Sequence, residues 1–134
     1  MDTRGAIKVL NRLYRTTRAG EMGFNTVSGV VRNRGLKVLL KSFAQRRRQM
    51  ADELVAEIER LGGAVTDRRS FPGMVHRGRV AIVGTMIINE DRTTLAMLKE
   101  ASVGEDAAMR RYRWAMDKDL PAETQSLLQS HLAA

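Results

Sequence analysis

Positions 7, 10, 14, 17, 21, 24, 28 and 31 carry Ile7, Leu10, Tyr14, Thr17, Glu21, Phe24, Ser28 and Val31. Steps of three and four residues trace one face of an α-helix, so this stretch predicts one long helix with an inward seam. Asp2 and Thr3 offer its N-cap. The seam constrains the chain because its middle holds an acid, Glu21, where an apolar side chain is expected. A buried carboxylate without a partner is costly, so a partner for Glu21 is expected from a neighbouring element. Gly20 and Gly23 flank it, and with Gly29 they weaken the helix by about 1 kcal/mol each relative to Ala. Close approach by another helix or a ligand is the expected reason for Gly20 and Gly23.

The same rhythm recurs. Asn33-Arg34-Gly35 reads as a turn. A second helix then aligns Leu36, Leu40, Phe43, Arg47, Met50, Leu54, Glu57 and Leu61, and Gly62-Gly63 closes it. Ser70 and Pro72 open an expected third helix with Gly73, His76, Val80, Val83 and Ile87 inward. Asn89 closes that helix. Asp91 is the expected cap of a fourth, which aligns Leu95, Leu98, Ser102, Glu105, Met109, Tyr112 and Met116. Leu120-Pro121 breaks the chain before a short last helix over roughly 121–132. The expected fold is all-α: an antiparallel four-helix bundle with a short extra C-terminal helix, in one domain over residues 1–134. Aromatics are 4% of the chain and Met contributes 8 residues, a balance that suits helical cores. There is no cysteine, which excludes disulfides and thiolate metal sites and favours a cytoplasmic address. No signal peptide is visible, and VAIVGTMII is too short to span a bilayer, so no membrane role is expected.

Polar residues interrupt every seam. In a bundle, Glu21, Glu53, His76 and Glu105 can lie at one level, and carboxylates with imidazole are the donor set of an iron, manganese or zinc site. The usual di-metal pattern needs Glu-x-x-His on two helices. Here Ala56 follows Glu53 by three, and Ser102 and Ala108 flank Glu105. The competing reading is a structural network in which Arg46 and Arg47 neutralise these acids, joined by the Tyr112 hydroxyl. An arginine there would also repel a cation.

GEMGF at 20–24, RRRQMADEL at 46–54, LGG at 61–63, MVHRG at 74–78 and VGEDAAMRRY at 103–112 occur in this order. The set resembles a bacterial ferritin-like family of small four-helix-bundle proteins, a domain of unknown function named after a Pseudomonas member. The resemblance runs from about Ile7 to Leu120. It implies a ferritin-like bundle without an established activity, with Glu21, Glu53, His76, Glu105, Arg47, Gly104, Asp106 and Tyr112 at the family's recurrent polar positions. It also implies an acid at the place of Ser102. Serine is a poor ligand for such dications, so this departure weakens a metal role here.

Net charge is +8. In VRNRGLKVLLKSFAQRRR, Arg34, Lys37, Lys41 and Arg48 fall near one outer helix face that can track phosphates, although a solvated surface is the favoured explanation for them. Trp114 sits off its seam. It either anchors self-association into a homo-oligomer or is covered by the last helix. There is no Gly-rich phosphate loop and no cysteine nucleophile. His131 stands near the chain end, where fraying is expected. The sequence therefore leans to a non-enzymatic structural or interaction module, with metal binding or iron handling as one alternative and nucleic-acid binding through the basic face as another.

Overall fold

The computed structural model describes residues 2–66 and 90–133. Among them are four helices and no strand: α1 (Thr3–Val30), α2 (Arg34–Arg60), α3 (Glu90–Met116) and α4 (Ala122–Ala133). The expected third helix and its His76 lie outside the described residues. So do the side chains of Leu95, Leu98 and Ser102.

The local signals read from the sequence set the ends of the helices. The Asp2 carboxylate accepts from the Gly5 amide at 2.8 Å and caps α1. Asn33 caps α2 by accepting from the Leu36 amide at 2.9 Å. At the far end of α2 the Gly62 amide donates to the Glu59 carbonyl and the Gly63 amide to the Ile58 carbonyl, both at 2.9 Å. This reciprocal pair satisfies carbonyls that a helix end otherwise leaves open, and it needs Gly62 at φ +85°. Glu90 and Asp91 are both helical residues of α3, so Asp91 does not cap it.

Three residues connect α1 to α2, which forces the two long rods to run back along each other. Ile7 near the start of α1 accordingly lies against Gly63 just beyond the end of α2. Asn11, buried, ties the chain leaving α2 to α1. Its amide donates to the Ile7 and Ala64 carbonyls at 3.1 and 3.2 Å, and its carbonyl accepts from the Thr66 amide at 2.8 Å. An asparagine inside a helix would be unfavourable without such partners.

The apolar side chains gather in two clusters. The larger joins Leu10, Leu13 and Tyr14 of α1, Met50, Leu54 and Ile58 of α2, Tyr112 and Ala115 of α3, and Leu128 of α4. The smaller holds Phe24, Val27 and Val31 against Leu40 and Ala44 near the α1–α2 turn. Along α1 the residues between them are Thr17 and Glu21, both buried; along α2 the intervening residue is Arg47. A polar layer thus divides the core.

The α1 seam is buried as its spacing predicts, apart from half-buried Ile7. Two other seam expectations fail. Phe43 is 43% exposed and Met109 is 39% exposed. Phe43 instead lays its ring near Phe24 of α1, with centroids 5.4 Å apart.

Candidate functional site

A hydrogen-bonded chain that starts in the dividing layer takes one residue from each described helix. Thr17 of α1 lies 3.4 Å from the Tyr112 hydroxyl of α3. That hydroxyl lies 2.9 Å from His131 Nδ1 of α4. His131 Nε2 lies 2.7 Å from Glu53 Oε2 of α2. With a neutral imidazole protonated on Nε2, the chain of donors runs in one direction. Thr17 donates to Tyr112, Tyr112 to His131, and His131 to the Glu53 carboxylate. Every buried polar atom then has a partner, as stable interiors require. No buried side-chain nitrogen or oxygen among the described residues lacks one.

Burial tunes both titratable members. It pushes the Tyr112 phenol up to about 12, while the Thr17 hydrogen bond and the arginines Arg47 and Arg46 pull the other way. His131 is held below its ordinary value, first by desolvation and also by Arg46 and Arg47; the Glu53 carboxylate opposes them. Both groups are therefore neutral near pH 7. Only Glu53, with its side chain 37% exposed, brings the network to the surface.

The expected core acids are each engaged separately. Glu21 is buried as its seam position requires, and its partner is an arginine. That arginine is Arg18 on its own helix, with Arg48 of α2 at 3.7 Å, rather than Arg46 or Arg47. Arg47 instead crosses to Glu105 of α3 and rests its other guanidinium nitrogen 3.7 Å from the Met50 sulfur. Gly20 faces the stem of Arg47 at ordinary contact distance, and Gly23 meets no described residue, so among the described residues neither glycine is required by a close neighbour. The Tyr112 hydroxyl joins Thr17 to His131 rather than an acid to an arginine. Glu57, lower on α2, accepts from Arg60 at 2.5 and 3.1 Å and from the Thr124 hydroxyl of α4 at 2.8 Å. The Arg60 hydrogen bonds hold its carboxyl below the usual range despite burial.

Glu21, Glu53 and Glu105 do not converge as a metal-holding group; among the described residues no three His, Cys, Asp or Glu side chains do so. His131, expected at a frayed end, is instead buried at 5% exposure. Its signal is present in the sequence: Thr124, Leu128 and His131 step by four and three along one face of α4, and all three are buried. Trp114 is half-buried, with Arg12 and Lys118 at 4.8 and 5.0 Å from its ring, which defines neither of the two roles expected for it.

The described residues define a helical fold whose core is divided by a polar layer with every buried side-chain polar atom partnered. The family is shown by the sequence: the model of the family described as Domain of unknown function (DUF2383) matches residues 5–118, and the chain belongs to that family. No curated protein matches it. The matched span ends before α4, so Thr124, Leu128 and His131 lie beyond it. Among the described residues, no helix is long and apolar enough to cross a membrane.

Proposed function

We propose that this chain is a non-enzymatic, ferritin-like helical module that acts by contact with a partner, its interior acids serving architecture rather than chemistry. The observation that carries this reading is the pairing of Arg47 with Glu105. A guanidinium in the dividing layer occupies the carboxylate that a cation would need and repels the cation as well. Arg18 does the same for Glu21, and Arg60 for Glu57. The lack of cysteine supports a reducing, cytoplasmic setting.

Metal binding is the reading this one must defeat, because Glu53 and His131 are themselves metal-type donors. The test is elemental analysis of protein purified without chelator, before and after incubation with iron, manganese or zinc. The expected outcome is far less than one ion per chain. Stoichiometric metal that disappears in Glu53→Ala and Glu105→Ala would replace this proposal with a metal centre.

A further inference from the structure

Residues 22–51 contain seven Lys or Arg and no Asp or Glu. The acid-free stretch covers the end of α1, the turn and the first two-thirds of α2. Arg34, Lys41 and Arg48 are exposed and Lys37 is half-exposed. At about 100° per residue these four fall within roughly 60° of one another around α2, and from Arg34 to Arg48 they extend over about 21 Å. Arg34, Lys37 and Lys41 make no ion pair among the described residues, and Arg48 reaches only Glu21 at 3.7 Å. Cations left without acids along a rigid rod repel one another, a cost that an anionic partner removes.

We infer that this face of α2 is a docking surface for the phosphate backbone of a nucleic acid, bound without reading its sequence. The inference rests on the proposal above that the chain works by contact, and it names the partner. Two features favour a phosphodiester backbone over an anionic lipid surface. The cations form a line rather than a broad patch, and successive ones rise about 4.5–6 Å along the axis where they are a turn apart. The exposed apolar side chains Leu39 and Phe43 point roughly 150–170° away from the middle of the cation line, so they cannot enter a bilayer on the face that meets its headgroups. Val38, 67% exposed, is the one large apolar side chain bordering the line. The helix offers no aromatic on the cation face to stack on bases, so backbone contact is the mode available.

The experiment is fluorescence anisotropy of the full chain with a labelled random-sequence DNA duplex at 50 and 200 mM salt. Four phosphate contacts give a slope near −3.6 in log affinity against log salt, so affinity should fall roughly 10²-fold across that range. The double variant Arg34→Ala/Lys41→Ala should lower the slope by about 2. Arg4→Ala/Lys8→Ala, both exposed at the opposite end of the α1–α2 pair, should bind as the parent does. All four altered side chains are exposed, so unchanged helix melting by circular dichroism checks that the fold is intact. Absence of salt-sensitive binding overturns the inference. So does equal loss in both double variants, or tighter binding to phosphatidylglycerol vesicles than to the duplex. Metal found by elemental analysis would unseat the non-metal reading while leaving the charge-variant result to judge this surface independently.

Discussion

At the scale of single residues, His131 shows how burial chooses a protonation state. Its imidazole accepts from Tyr112 and donates to Glu53, an arrangement only the neutral ring can make without reversing the Tyr112 and Thr17 hydroxyls. Desolvation keeps its pKa below the unfolded value of about 6.5, and the nearby Arg46 and Arg47 add to that effect. The unfolded chain therefore takes up a proton at a pH where the folded chain does not, and stability must fall as pH drops through 6.5. The loss continues until the folded imidazole also protonates, and above pH 6.5 the contribution is fully present. Urea midpoints measured between pH 8 and pH 5 should decline in the parent. The decline should be shallower in His131→Gln, whose amide can keep one hydrogen bond but does not titrate. Glu57, with its depressed carboxyl, adds a loss only at lower pH, below the ordinary carboxylate range. Identical pH slopes in parent and His131→Gln would mean that His131 titrates alike folded and unfolded.

At the scale of elements, helix ends and helix interiors ask opposite things of glycine. Gly62 lies at φ +85° in the turn that closes α2, where an L side chain is strained, and Gly63 has Ile7 carbons 2.8 Å from where a Cβ would stand. Gly23 is in the interior of α1 with no described residue near its would-be Cβ. Gly62→Ala should thus lower stability by about 1 kcal/mol, and Gly23→Ala should raise it by about 0.5–1 kcal/mol. Thermal melts of the two variants check both signs, and a destabilised Gly23→Ala would point to a role for that glycine outside the free chain. These elements were also the most legible part of the sequence. The α1 seam, the Asp2 cap and the Gly62-Gly63 stop are local signals, and the structure uses them as read. Asn33, expected in a turn with Arg34 and Gly35, instead caps α2, and those two residues are already helical. The partners of the polar residues were less legible. Glu21 and Glu57 are engaged by Arg18 and Arg60 three residues away on the same helix, a spacing visible in the sequence but overshadowed by the prospect of interhelical pairs. Arg47 could be placed in the core, but which acid it meets depends on how the helices stand in register, and spacing along one helix does not fix that. His131 stands near the chain end, where fraying is the ordinary expectation, yet it continues the regular step from Thr124 through Leu128 and is buried with them.

At the scale of the whole molecule, α4 decides whether the polar layer is an asset or a defect. The family match ends at residue 118, yet the helix beyond it supplies His131 to Glu53 and Tyr112, Thr124 to Glu57, and Leu128 to the larger core. A chain ending at Lys118 would leave the Glu57 carboxylate and the Tyr112 hydroxyl without these partners and would take Leu120 and Leu128 out of the larger core. Buried polar groups stripped of one partner cost more than the lost bond is worth, about 1–3 kcal/mol each. Loss of the fully buried Leu128 side chain alone removes roughly 1.5–3 kcal/mol of apolar burial. Together these come to roughly 3.5–9 kcal/mol, comparable to the about 5–15 kcal/mol that holds an ordinary small domain folded. The shortened chain should unfold at a much lower urea midpoint, followed by circular dichroism and by the fluorescence of Trp114, the chain's one tryptophan. Leu128→Ala in the full chain should lose about 2–5 kcal/mol. Thr124→Val should lose less, because Arg60 still holds Glu57. If the chain ending at Lys118 kept the parental midpoint, the matched span would fold without α4, and the four-helix polar chain would be an addition to an already complete core rather than the element that completes it.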